Sequence, residues 1–142
     1  MSEHIIQQPT GVSASRSRLL QNTLLINAFF SCICSLSMLI YSTGINAYIG
    51  SKSYLADGYL MGLGGVLVFF AVSLFIIAMR PAIHKGLAQA IILLDTLWVI
   101  ASIILIALQL SPLTLAGEFI IAAIALIVAI LAYSQWYGLK HP

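Results

Sequence analysis

Apolar positions along this chain fall into long blocks that polar residues interrupt only briefly. No formally charged side chain occurs between Arg18 and Lys52, between Asp57 and Arg80, between Asp95 and Glu118, or between Glu118 and Lys140. A helix needs about 20 predominantly apolar residues to cross a hydrocarbon layer. The blocks therefore predict four spans: Leu19 to about Thr43, Leu60 to Met79, Leu87 to Gln109, and Leu115 to Tyr137. No stretch alternates apolar and polar residues as a transmembrane barrel strand would. The expected fold class is an all-α, integral membrane four-helix bundle.

The connections between blocks carry helix-ending chemistry. Arg80-Pro81 should close the second span, because proline disfavours the helical region for the residue before it. Ser111-Pro112 reads as a cap followed by a first-turn proline that opens the fourth span. The Gly44–Tyr59 connection has room for a short interfacial turn around Tyr48 and Tyr54, without a folded domain. Residues 1–18 are expected to form a mobile cytoplasmic tail, and residues 140–142 a short cytoplasmic end.

Composition decides the solvent. Of 142 residues 61% are hydrophobic and 7% charged, and the mean hydropathy is +1.07. So few charges cannot cover a water-facing surface, where about a quarter of residues are normally charged. The six Lys and Arg residues give a net charge of +2. They are scattered over connections and form no patch that could follow a phosphate backbone, so no nucleic-acid partner is expected. Five of the six, Arg16, Arg18, Arg80, Lys85 and Lys140, fall on one side of the predicted threading; Lys52 falls on the other. The positive-inside tendency then puts both ends in the cytoplasm. Arg16 and Arg18 resemble the start of a signal peptide, but the apolar run after them exceeds the usual 7–15 or so residues. The first span is therefore expected to stay.

Asp95 is the residue with most chemical content, because an ionisable group inside a span is costly and tends to serve a function. At about 1.5 Å of rise per residue, it lies roughly 12 Å into the third span. Asn27 reaches about that depth in the first span, and Ser73 roughly 9 Å in the second, all from the cytoplasmic side. Ala88, Asp95, Ser102 and Gln109 recur every seven residues. Thr23, Asn27, Ser31, Ser35 and Met38 follow steps of three or four. Each set lies along one helix face. The candidate intramembrane polar site is therefore Asp95, Asn27, Ser73, Trp98 and Ser102. Spans one and three are expected to meet there, with Asn27 bonded to Asp95. Asp95 serves either as interhelical polar glue or as a proton or cation site; Trp98, one turn away, either fills the core or closes the polar pocket.

Other features have plainer readings. Glu118 sits in the first turn of span four, where a carboxylate is favoured. Ala122, Ala125, Ala129 and Ala132 form a small-residue stripe, and Gly58, Gly62 and Gly65 permit close helix approach. Tyr133, Trp136 and Tyr137 fit an interfacial aromatic belt, where Gln135 would bond backbone or headgroups. Cys32 and Cys34 face different ways on a helix and read as packing residues. His4, His84 and His141 all lie outside the spans, which excludes haem ligation by paired intramembrane histidines. The spans offer no zinc ligand set, catalytic nucleophile with a histidine base, or phosphate loop. Neither a cofactor nor a metal is expected, and no catalytic constellation is identifiable.

Leu25-Ile26-Asn27-Ala28-Phe29-Phe30-Ser31, the run Leu93 to Ser102, and Gln135-Trp136-Tyr137-Gly138-Leu139-Lys140 resemble small bacterial four-span membrane proteins of unknown function. The resemblance implies a multi-pass protein of the bacterial inner membrane and brings no activity with it. The expected role is that of an accessory or interaction protein whose Asn27–Asp95 centre fixes the bundle. Its partners would be the lipid bilayer and another membrane protein or a second copy. The alternatives are a small, proton-coupled transporter using Asp95, and a redox or quinone-associated subunit with a lipid-soluble ligand beside Trp98. A closed interior, a hydrated route to Asp95, and an apolar cleft open to lipid would respectively mark the three.

Overall fold

The computed structural model describes residues 18–49, 57–109 and 113–141. Among these the chain is all-α, with five helices: α1 (Arg18–Ile40), α2 (Ser42–Ile49), α3 (Asp57–Ala78), α4 (Lys85–Ala107) and α5 (Leu115–Lys140). All but α2 are long and apolar enough to cross a membrane. Their 22 to 26 residues correspond to about 33–39 Å at the α-helical rise. Of the expected tail, residues 1–17 lie outside the described residues, as do Tyr54 and the Ser111-Pro112 cap, while Arg18 opens α1.

Several boundaries differ from the sequence expectation for local reasons. The first span stops at Ile40, and the expected turn near Tyr48 is instead the two-turn helix α2. Thr114 caps α5: its hydroxyl accepts from the Gly117 amide at 3.1 Å. The same hydroxyl donates to the Tyr48 carbonyl at 2.8 Å, and the Thr114 amide donates to the Ile49 carbonyl at 3.0 Å. One residue thus opens α5 and ties down the end of α2. Helix α4 ends at Ala107, and Gln109 turns into the left-handed region at φ 46.

The chain runs up and down, but neighbours in sequence are not always neighbours in space. Helix α1 packs against α3 on one side and α5 on the other, while α4 packs against α5. Among the described residues α3 and α4 form no extended helix contact, and neither do α1 and α4. The expectation that spans one and three meet along their stripes is therefore corrected. Thr23, Asn27, Ser31 and Ser35 are buried as the stripe predicts, but α1 packs on α3 and α5, and Asn27 reaches α4 through its side chain. On α4, Ala88, Asp95 and Ser102 are buried, whereas Gln109 is exposed.

At one end all four long helices converge. Leu20, Leu24 and Ala28 of α1 join Leu74 and Ala78 of α3, Ala88 and Ile91 of α4, and Ile83 from the α3–α4 loop in one apolar cluster. Leu139 of α5 packs on it. The Gln21 side-chain amide donates to the Arg80 carbonyl at 3.2 Å, holding that loop against α1. At the same end a Cβ on Gly138 would sit 2.9 Å from the Leu20 backbone nitrogen, so α1 and α5 touch backbone to backbone. Arg18, Arg80, Lys85 and Lys140 all lie at this end, and Glu118 belongs to the first turn at the other.

The radial distribution is reversed relative to a water-soluble bundle. Phe29, Phe69 and Phe119 are at least 70% exposed, while Asn27 is 1% and Gln135 0% exposed. Long apolar side chains cover the outside of every long helix, and most of the buried positions of α1 are polar or small. Soluble monomers rarely expose contiguous apolar surface on this scale.

Candidate functional site

Three helices supply a buried polar centre. Asn27 of α1 donates through Nδ2 to Asp95 Oδ2 at 2.6 Å. Gln135 of α5 donates through Nε2 to the same oxygen at 3.3 Å. Ser31, one turn along from Asn27, directs its hydroxyl to Asn27 Oδ1 at 3.5 Å. Asp95 is only 3% exposed. The carboxylate thus joins α1 and α4 across a distance that their backbones do not close, with α5 behind both.

A cavity of about 500 Å³ opens between α3 and α4, bounded behind by α1 and α5. Leu63, Leu67, Phe70 and Ile77 line it from α3; Ile91, Leu94 and Trp98 from α4; Phe30 and Cys34 from α1; and Ile124 and Val128 from α5. Asn27 and Asp95 contribute to its lining, so the polar centre forms part of an otherwise apolar floor. The cavity follows from the packing order: α3 leans on α1 and α4 on α5. The short loop holding Ile83 draws the two helices together only at one end.

The five residues singled out by sequence fall into three groups. Asn27 and Asp95 are directly bonded. Ser73 and Trp98 line the cavity without joining that bond; the Ser73 hydroxyl donates to the Phe69 carbonyl of its own helix at 2.8 Å. Ser102 is buried below Asp95 on the same face and donates to the Trp98 carbonyl at 2.9 Å. Serine and threonine often satisfy themselves against the preceding turn in this way.

Gln135 is the member that sequence reasoning placed wrongly. Rather than reaching headgroups, it is fully buried, and its Oε1 has no hydrogen-bond partner. Its neighbours in sequence, Tyr133, Trp136 and Tyr137, are exposed and do suit an interface. The signal that could have found it is periodicity: Ala125, Val128, Ala132, Gln135 and Gly138 follow three- and four-residue steps, and all are buried. The inward face is thus turned slightly from the expected alanine stripe, leaving Ala122 exposed and Ala129 half-buried.

Among the described residues no group of His, Cys, Asp and Glu is arranged to hold a metal ion. Cys32 is exposed and Cys34 half-buried, both as free thiols.

Fold and site together define a class: an all-helical protein with four potential membrane-crossing helices and a carboxylate set in the floor of a side-opening apolar cavity. No family model, no curated protein and no solved structure matches this chain.

Proposed function

We propose that this chain is a multi-pass protein of a bacterial cytoplasmic membrane that holds a lipid-soluble molecule in the cleft between α3 and α4, with both chain ends cytoplasmic. The observation that carries the reading is the cavity itself, an apolar space of about 500 Å³ whose floor includes Asp95 and Asn27. Small-molecule sites commonly enclose about 300–1,000 Å³, with apolar walls and a few placed polar groups. The reversed radial distribution supports lipid as the surrounding solvent. The gathering of Arg18, Arg80, Lys85 and Lys140 at one end supports the orientation.

The open interior ranks this reading above a role in packing alone, and the apolar walls rank it above proton-coupled transport, which needs a hydrated route to Asp95. An accessory role is the second reading. Its support is the outward face of Gly58, Gly62 and Gly65, where an added Cβ would meet nothing within 4 Å, leaving room for a partner helix or a second copy.

Fluorescence quenching tests the cleft. In a Trp136→Phe protein Trp98 is the single tryptophan. In vesicles of brominated-chain lipid its emission should be quenched, and Ala90→Phe, which places a ring among the cavity-lining residues, should relieve the quenching. Emission from Trp98 that brominated lipid leaves untouched, while Trp136 in the parent protein is quenched, would return the protein to the accessory reading.

A further inference from the structure

The floor of the cleft is short of hydrogen-bond donors. Both side-chain amides that reach Asp95 donate to a single oxygen, Oδ2. Among the described residues Oδ1 has no hydrogen-bond partner, and Asp95 lines the cavity. Asn27 Oδ1 receives only the 3.5 Å approach from Ser31, and Gln135 Oε1 behind it receives nothing. The centre therefore holds a surplus of acceptor oxygens around one carboxyl group.

It is also short of positive charge. The described basic residues Arg18, Arg80, Lys85 and Lys140 all lie at helix ends or in the adjoining loop. None forms a salt bridge to Asp95. A buried carboxylate without a compensating cation is costly, and acids within membranes usually pair. The walls answer to the same chemistry, because Phe30, Phe70 and Trp98 line the same cavity as Asp95. Aromatic faces attract cations most strongly where water is excluded.

We propose that the ligand of this cleft is an apolar amine, bound as its ammonium form. Its N–H group donates to Asp95 Oδ1, its charge is set against the carboxylate, and the aromatic side chains flank it. The hydrocarbon part lies along Leu63, Leu67 and Leu94 toward the side opening. This inference rests on the ligand-binding reading above and narrows it. A ketone or quinone would bring further acceptors to a site already rich in them. An alcohol would supply the donor without the charge.

Three probes that share one skeleton separate these chemistries: 4-phenylbutylamine, 4-phenylbutanol and 4-phenyl-2-butanone. Each is titrated into the Trp136→Phe protein in lipid nanodiscs, with Trp98 emission as the readout and partitioning corrected on protein-free discs. The amine should bind at least about tenfold more tightly than either neutral probe, the margin between a charge-assisted and a neutral hydrogen bond. In Asp95→Asn that preference should vanish. Equal affinity of the three probes for the parent overturns the amine assignment while leaving the cleft as a ligand site. A preference that survives Asp95→Asn overturns it too. Trp98 emission that responds to none of the probes sinks both the amine assignment and the ligand-binding reading. The parent comparison decides the matter without relying on the folding of any Asp95 variant.

Discussion

Asn27 and Gln135 donate to the same carboxylate oxygen, yet their removal should have unequal consequences. The Asn27 bond is short at 2.6 Å and joins helices whose backbones stand apart. The Gln135 bond is long at 3.3 Å, and the same side chain buries an acceptor without a partner. Replacing a group that is itself half-unsatisfied by an apolar one of similar size can be nearly neutral. Asn27→Ala is therefore expected to lower stability by about 1–2 kcal/mol, the upper part of the range for interhelical polar contacts in membranes. Gln135→Met should cost little. Unfolding in mixed micelles with increasing dodecyl sulfate measures both, and a larger loss for Gln135→Met would contradict this assignment. The Asn27–Asp95 bond was legible because depth needs only a residue count and the helical rise. Gln135 was not, because three aromatic neighbours of interfacial character masked its own position on the helix face.

Glycines report how closely helices approach, and this chain uses them in two ways. Gly138 sits where α5 meets the start of α1, and an added Cβ would press on the Leu20 nitrogen and Cα at 2.9 and 3.2 Å. Those atoms belong to backbone, so the two helices would have to part. Gly62 on α3 faces open space. Gly138→Ala should destabilise the bundle by about 1–3 kcal/mol, the usual cost of overpacking. Gly62→Ala should be neutral, or gain about 0.5–1 kcal/mol from helix propensity if no neighbouring helix uses that face. The same micelle titration orders the two, and a marked loss at Gly62 would point to a partner there. Gly58, Gly62 and Gly65 stand out in the sequence because they carry a small-residue motif. Gly64, which packs on Ser35 and Met38 of α1, and Gly117, which meets the Ile49 carbonyl, carry no such mark. A glycine's role depends on what stands opposite, and apolar periodicity does not encode that when apolar residues cover most of a helix.

The four long helices were legible for the reason that blurred their arrangement. Charge-free runs such as Asp57 to Arg80 mark a helix long and apolar enough to cross a membrane, but a helix with an apolar exterior has no polar outer face to show which side turns inward. Only the inner polar residues give direction. They turn the α1 and α4 stripes inward, but the two helices do not pack on each other as expected, and the Asn27–Asp95 bond reaches between them. Helix α1 packs on α3 and α5 rather than on α4, and α3 and α4, joined by the short loop, stand open. Orientation provides the remaining prediction: impermeant labels should reach tags on both chain ends from the cytoplasmic face alone. A protected amino end together with an accessible carboxyl end would break the proposed threading, since Leu20 and Gly138 meet at one end of the bundle.

That meeting also governs how the chain is made. Helix α1, the first of the described helices, buries Thr23, Asn27, Ser31 and Ser35, and α5, the last of them, packs against it. Asn27 meets the Asp95 carboxylate as soon as α4 is in place, whereas the Gln135 donor and the seat against α5 come only with the last of the described helices. A chain halted before Leu115 would hold the Asn27–Asp95 pair but lack the α5 wall and the Gln135 donor that complete the centre.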